Sequence, residues 1–214
     1  MAIAYPRAFP AGIYLATTEF DYSEIVGASP LGNGSTIGAP LWPARWRGAW
    51  RTQWLAGPQL GAVQAWLASL RNGGKPFYGR TTRQAALTGY PAGLGVSPGL
   101  ASLLSTTRIA LAGMPAGAVL KPGDQFSIAE TVSGKLWRAL CRIEEAASAD
   151  GSGDIGELAF GPALPAGVFS GSAAVDFASP SAIMKLKPDS VAEERWAGRM
   201  RYSFSGEQSW SADP

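Results

Sequence analysis

The chain reads as a mainly β protein, more fully a β-rich α+β fold. A discontinuous β-sheet domain with one amphipathic helix carries an inserted small β-barrel or sandwich. Three observations predict this. Only 16% of the 214 residues are charged, whereas glycine (27) and proline (16) abound, a composition of short strands and many turns. Tryptophan recurs at every fourth position from Trp42 through Trp46 and Trp50 to Trp54, with arginines in the gaps, and a similar alternation returns near Trp196. Between these two stretches, short apolar runs alternate with turn signals.

Each element follows from local chemistry. In residues 1–41, rich in Pro and Gly, Ile13 and Leu15 open a strand, and Phe20 and Tyr22 alternate with Asp21. Gly27 to Pro40 is nearly uncharged and reads as a loop or an extended arm. A four-residue tryptophan step fits a helix face or a strand face. Pro43, Gly48 and Thr52 are poor inside a helix, so 44–55 is predicted as a strand. Trp46, Gly48, Trp50, Thr52 and Trp54 then share one face, and Arg45, Arg47, Ala49, Arg51 and Gln53 the other. Gly57-Pro58 opens a helix in which Leu60, Val63, Trp66, Leu67 and Leu70 form an apolar stripe, ending at Asn72-Gly73-Gly74. Pro76 to Gly79 reads as a short strand.

Residues 87–118 hold a single charge, Arg108. Lys121 to Asp124 is a turn, and Phe126 with Ile128 marks a strand. After the Ser133-Gly134 turn, Trp137, Ala139, Cys141 and Ile143 share one strand face against Arg138 and Arg142. Asp150 to Asp154 is a turn before a strand over Leu158–Phe160, and Val175 with Phe177 and Met184 with Leu186 give two more. In the last strand Trp196, Gly198, Met200, Tyr202 and Phe204 face one way, and Arg195, Ala197, Arg199, Arg201 and Ser203 the other. The echo of 45–54 places both strands in one sheet, so that residues 1–86 and 188–214 form one discontinuous domain and 87–187 an insert. Gly206–Pro214 is expected to fray.

Several function classes fall away. The chain has no histidine, which excludes Ser-His-Asp and Cys-His catalysis and any histidine zinc site. Cys141 is the single cysteine and reads as a packing residue, so no intramolecular disulfide or thiolate cage can form. Gly151 to Gly156 matches G-x-G-x-x-G by letter but lacks the preceding buried strand and following helix of a dinucleotide site. As a calcium loop the same segment would need Glu where Gly161 stands. The acidic pairs Asp21 with Glu24, Glu144 with Glu145, and Glu193 with Glu194 predict no cleft for glycoside hydrolysis. No cofactor or metal is expected. A net charge of +2 indicates neither a nucleic-acid nor a membrane partner. The absence of a secretory signal pattern and of a long apolar run predicts a soluble chain made in the cytoplasm, without a membrane role.

The tryptophans at 42, 46, 50, 54, 66 and 196 are expected mainly as core, with subunit burial or sugar stacking as alternatives. Arg45, Arg47, Arg51, Arg195, Arg199 and Arg201 are the candidate interface residues: six arginines on one sheet face either meet water or contact a neighbouring subunit.

Five motifs occur in order. They are Trp46-Arg47-Gly48-Ala49-Trp50-Arg51-Thr52-Gln53-Trp54-Leu55, then the helix Val63 to Gly74 with Phe77 after it, then Leu120-Lys121-Pro122-Gly123-Asp124 leading to Ile128, then Gly134 to Arg138, and Leu158 to Leu164. Together they resemble the minor tail proteins of long-tailed phages and prophages, specifically the distal tail protein group. The resemblance covers most of 42–204. It departs at Pro162-Ala163-Leu164-Pro165, where the family turn has arginine last, and residues 1–41 match loosely. It implies a virion structural protein at the tail tip: a ring, usually a hexamer, that joins the tail tube protein to the tip hub protein, with viral DNA only as passing cargo. The sheet domain would be the ring-forming belt and the barrel would project outward. The 27–40 segment would suit an arm reaching the next subunit. No catalysis is implied. A carbohydrate-binding, host-receptor-binding module of the tail tip is the alternative, and a cell-wall hydrolase a third reading.

Overall fold

The structure, a computed structural model, describes residues 4–30, 36–81 and 98–212, and of residues 24–30 and 36–43 the backbone alone. In chain order its elements are β1 (Leu15–Pro30), β2 (Thr36–Thr52), α1 (Gly57–Ser69), β3 (Pro76–Gly79), β4 (Gly99–Ser105), β5 (Arg108–Ala112), β6 (Val119–Leu120) and β7 (Gln125–Val132). They continue with β8 (Lys135–Ile143), β9 (Ala147–Ser148), β10 (Ile155–Gly161), β11 (Ala174–Asp176), β12 (Ala182–Leu186), β13 (Ala192–Trp196) and β14 (Arg199–Gln208). The protein is mainly β, with one helix among the described residues.

A six-stranded sheet runs β1-β2-β14-β12-β3, with β13 beside β14. The tryptophan strand and its distant echo are direct neighbours: Arg51 pairs with Ser203, Trp50 with Phe204 and Arg47 with Glu207. Along β2, Ala44, Trp46, Gly48, Trp50 and Thr52 are buried while Arg45, Arg47 and Arg51 are exposed, as a period of two requires. Gly48 fits this row because rings lie over it. A Cβ there would sit 2.5 Å from Trp50 Cζ2 and 2.8 Å from Phe20 Cδ2. Gly48→Ala is therefore expected to destabilise the protein by about 1–3 kcal/mol through overpacking, read as a lower urea midpoint, with far-UV circular dichroism unchanged.

Helix α1 lays Val63, Trp66 and Leu70 on the sheet. Trp66 meets Phe77 and Phe204 at ring separations of 5.4 Å, and Phe9 covers it from the other side at 5.1 Å. The left-handed turn that ends the helix begins at Arg71 and Asn72 (φ 50° and 47°), two residues ahead of Gly73. Among the described residues no helix is long and apolar enough to cross a membrane.

Strands β10-β5-β4-β11-β7-β8 close into a barrel. Its interior is filled by side chains, among them Phe126 stacked on Phe177 and edge-on to Phe160, with Ile109, Ile128 and Leu158 around them. Cys141 lies in this core, and burial pushes its thiol well above the ordinary value, away from thiolate chemistry.

Several expectations are corrected. Residues 195–204 are not one strand: Ala197 and Gly198, both at positive φ (47° and 76°), form a tight turn between β13 and β14. Trp54 does not extend the buried row, because β2 ends at Thr52, where the Gln53 amide donates to the Tyr14 carbonyl. Leu55 is the buried residue instead, bridged to Met200. Strand β12 belongs to the sheet, pairing Met184 with both Phe77 and Gln208, so the insert returns to the sheet at 182 rather than after 187. The segment 27–40, read as a loop or an extended arm, is paired strand where described, and so not a loop there: Pro30 faces Thr36 and Gly27 faces Ala39. Residues 99–112, read only as part of a stretch with a single charge, form the β4–β5 hairpin of the barrel. As far as Ala212, the last described residue, the chain end expected to fray is ordered into the fold. Gly206 to Gln208 are strand, Trp210 is buried in the barrel core, and Ala212 donates to the Leu136 carbonyl.

The Arg138 and Arg142 side of β8 is the surface by which the barrel sits on the sheet. Leu140 joins the sheet's core cluster, and the Trp46 indole donates to its carbonyl at 2.6 Å. Arg142 lies over the Tyr22 and Trp46 rings at 5.1 and 5.0 Å and pairs with Asp21 at 2.7 Å. Arg138 lies over Tyr78 at 5.6 Å, donates to the Ser181 carbonyl at 3.1 Å and pairs with Asp176 at 2.6 Å. Arginine stems tolerate such burial because each guanidinium keeps its partners.

Candidate subunit interface

The sheet has two unlike faces. One is covered by α1, by the N-terminal segment and by the barrel. The other follows from register. Arg51 opposite Ser203 and Arg47 opposite Glu207 place Arg45, Arg47, Arg51, Arg199 and Arg201 on a common outer face. Glu194 pairs with Arg201 and Trp196 with Arg199, which brings Glu194 and Trp196 to the same face. Arg195 is the exception. It stands opposite Met200, on the other side of β13, because the Ala197-Gly198 turn restarts the alternation. There it pairs with Glu193 at 2.6 Å, near the Tyr202 hydroxyl. Five of the six candidate arginines are thus brought together and one is not.

Their electrostatic situations differ. Arg47 reaches Glu207 only at 3.8 Å, with both side chains about half exposed. Arg201 holds Glu194 through Nε at 3.0 Å and lies over the Trp54 ring at 4.5 Å. Arg51 donates to the Ser203 hydroxyl at 3.3 Å. Among the described residues, Arg45, Arg51 and Arg199 meet no carboxylate. Exposed ion pairs of this kind add about 0–1 kcal/mol each, so they do not explain why arginine recurs here.

The aromatic residues separate as sharply. Trp46, Trp50 and Trp66 are 0, 2 and 1% exposed, so they form core and offer no sugar platform. The side chain of Trp42 lies outside the described residues. Trp196 is 65% exposed and meets Trp54 at 5.9 Å with the rings inclined by 48°. Two rings at that inclination present no flat stacking surface. A hollow of about 650 Å3 lies between the N-terminal segment, the sheet and the barrel, walled by Phe9, Leu15, Trp50, Phe77 and Phe204. Its charged groups are Arg80, Arg138 and Asp176, of which the last two are taken by each other.

Sequence reasoning found the arginines from their alternation but missed the indole pair, since Trp54 and Trp196 meet only after two chain reversals. It also missed Arg138 and Arg142 as anchors of the barrel. The one available signal was Leu140, an apolar residue between the two arginines on the face opposite Ala139 and Cys141. Asp150, a calcium-loop candidate by letter, instead closes its own turn. Its carboxylate accepts from the Ser152 and Asp154 amides at 2.9 Å, the Asp154 amide first among the contacts that hold its pKa down. No protein-family model matches the chain, and no curated protein matches its sequence.

Proposed function

We propose that the protein is a structural subunit of a phage tail tip, of the distal tail protein type. Copies of it form a ring, hexameric in the reading the resemblance suggests, that joins the tail tube protein to the tip hub protein and leaves an opening for DNA. The observation that carries the reading is the outer sheet face. It gathers five arginines with an exposed tryptophan, the residue types enriched at protein interfaces, and among the described residues three of those arginines meet no carboxylate. The collinear motifs from Trp46 to Leu164 support it, as does an architecture in which a discontinuous sheet carries an inserted barrel.

The β1–β2 hairpin fits the same role. Strand β14 pairs with β2 only over Arg47–Arg51, yet β1 and β2 stay paired out to Pro30 and Thr36. A two-stranded ribbon is marginal by itself in water, and Ile25 to Ala44 carries no charge, so a neighbouring subunit is its natural support. Native mass spectrometry of the purified protein tests the reading, with a ring-sized homo-oligomer as the expected species. A strict monomer at high concentration that also binds neither tube nor hub protein overturns it.

A further inference from the structure

We infer that successive copies join head to tail, the Trp196 corner of one sheet docking on the acidic side of the next copy's barrel. This rests on the ring reading and names its contact, placing the barrel in the ring alongside the sheet rather than only projecting from it as the resemblance implies.

The first half of the contact is the corner made by Trp54, Trp196, Arg199 and Arg201, with Arg51 beside it. Trp196 ends β13 and is 65% exposed, an unusual position for the largest apolar side chain. Strand β13 itself is Ala192-Glu193-Glu194-Arg195-Trp196, exposed throughout, and its charges guard the free backbone edge. The corner therefore offers side chains, not a strand for sheet extension. A tryptophan flanked by arginines is the composition of an interface hot spot.

The second half is set by charge. Residues 1–81 and 182–214, which build the sheet, hold 12 Lys and Arg against 8 Asp and Glu, a balance of +4. Residues 99–181, which build the barrel, hold 5 against 8, a balance of −3. No Lys or Arg occurs from Ile143 to Met184, while Glu144, Glu145, Asp150, Asp154, Glu157 and Asp176 do. Arg138 takes Asp176 and Arg108 takes Glu157. Among the described residues the other four form no ion pair, and all four are exposed along the β9–β10 side of the barrel.

Within one chain the two surfaces cannot meet. The barrel sits on the inner face of the sheet through Leu140 and Trp46, and the arginines lie on the outer face, so the sheet stands between them. Opposite charges on opposite sides of one rigid unit favour a heterologous contact. Such a contact propagates from copy to copy and gives a ring when its rotation closes.

The test uses two full-length variants. One reverses the corner (Arg199→Glu with Arg201→Glu), and the other reverses the barrel (Glu144→Lys, Glu145→Lys and Asp154→Lys). Each alone is expected to stay monomeric by native mass spectrometry, because like then faces like. An equimolar mixture is expected to assemble again, the reversed corner of one variant meeting the reversed barrel of the other and the unreversed corner meeting the unreversed barrel. Trp196→Ala should weaken assembly about 30-fold, the loss of one hot-spot residue, while its melting temperature stays that of wild type. If wild type assembles and either reversed variant assembles equally well alone, this contact is wrong and the ring reading stands. If wild type neither assembles nor binds tube or hub protein, both fall.

Discussion

Trp46→Ala is expected to lower the unfolding free energy by about 3–5 kcal/mol, the range for removing a large aromatic side chain from a core. Trp46 is fully buried. Its ring stacks on Phe20 at 5.1 Å, meets Tyr22 edge-on at 5.1 Å and carries the Arg142 guanidinium at 5.0 Å. Removing it opens a cavity where three parts of the fold meet, and it strips the Leu140 carbonyl of the indole donor. Trp46→Phe separates these effects. It keeps most of the volume and leaves the carbonyl without that donor, so a loss of about 1–3 kcal/mol is expected. Urea unfolding of the three proteins, followed by circular dichroism, measures both. A Trp46→Ala midpoint within error of wild type would mean that the barrel is not anchored through this residue. The cost should also appear as an altered slope if the barrel and sheet come apart in separate transitions, since each would then expose less surface.

The pairing of β2 with β14 was legible because both strands carry a strict period of two, and a face of Trp46, Trp50, Tyr202 and Phe204 must be covered. What was not legible turns on places where local pattern and three-dimensional path part company. The Ala197-Gly198 turn lacks the usual Asn or Asp before glycine, so Arg195 to Phe204 reads as an unbroken strand although the chain reverses within it. That one reversal moves Arg195 to the other face and sets Trp196 against Arg199. Ala182 to Leu186 looks like any other short apolar strand. Its partners, Pro76 to Gly79 and Gly206 to Gln208, are distant in sequence, and nothing local chooses this sheet over the barrel. The chain end looked frayed because its residues are small and polar, yet Trp210 enters the barrel core and carries the neighbouring backbone with it.

The arginines show the same limit from the side of function. Alternation assigns Arg45, Arg47 and Arg51 to an exposed face and assigns Arg138 and Arg142 to one with equal force. In the fold the first three remain exposed, while the second two are the seam between sheet and barrel. An arginine face is thus ambiguous by itself. What separates the two cases is whether carboxylates, carbonyls and aromatic rings of the same chain arrive to meet it. They arrive for Arg138 and Arg142, and among the described residues no carboxylate arrives for Arg45, Arg51 or Arg199. This contrast is why the outer face, and not the seam, is proposed to meet a neighbouring copy.

Arg138→Met is the second large effect expected, about 2–3 kcal/mol at neutral pH. That lies below the range for a fully buried ion pair because the Asp176 side chain is 33% exposed. The variant leaves Asp176 and the Ser127 hydroxyl without the guanidinium that joins them, and it removes the bond to the Ser181 carbonyl at the point where the chain passes from barrel to sheet. The pH dependence identifies the pair. Burial pushes the Asp176 carboxyl upward, but the Ser179 amide, Arg138 and the Ala178 amide outweigh it and hold the pKa below the ordinary 3.8. The folded state then binds fewer protons than the unfolded chain near that pH, so stability from this group rises with pH. It is complete above the unfolded value of about 3.9 and is lost as pH falls through the lower folded value. Wild type should therefore lose stability more steeply than Asp176→Asn as pH is lowered from 5 to 2. Arg138→Met should fall between them, since the backbone donors remain. Urea midpoints measured across that range decide the matter. Parallel curves for wild type and Asp176→Asn would show that the carboxylate is not held in its charged form at the seam, and that the barrel rests on the sheet by packing around Trp46 and Leu140 alone.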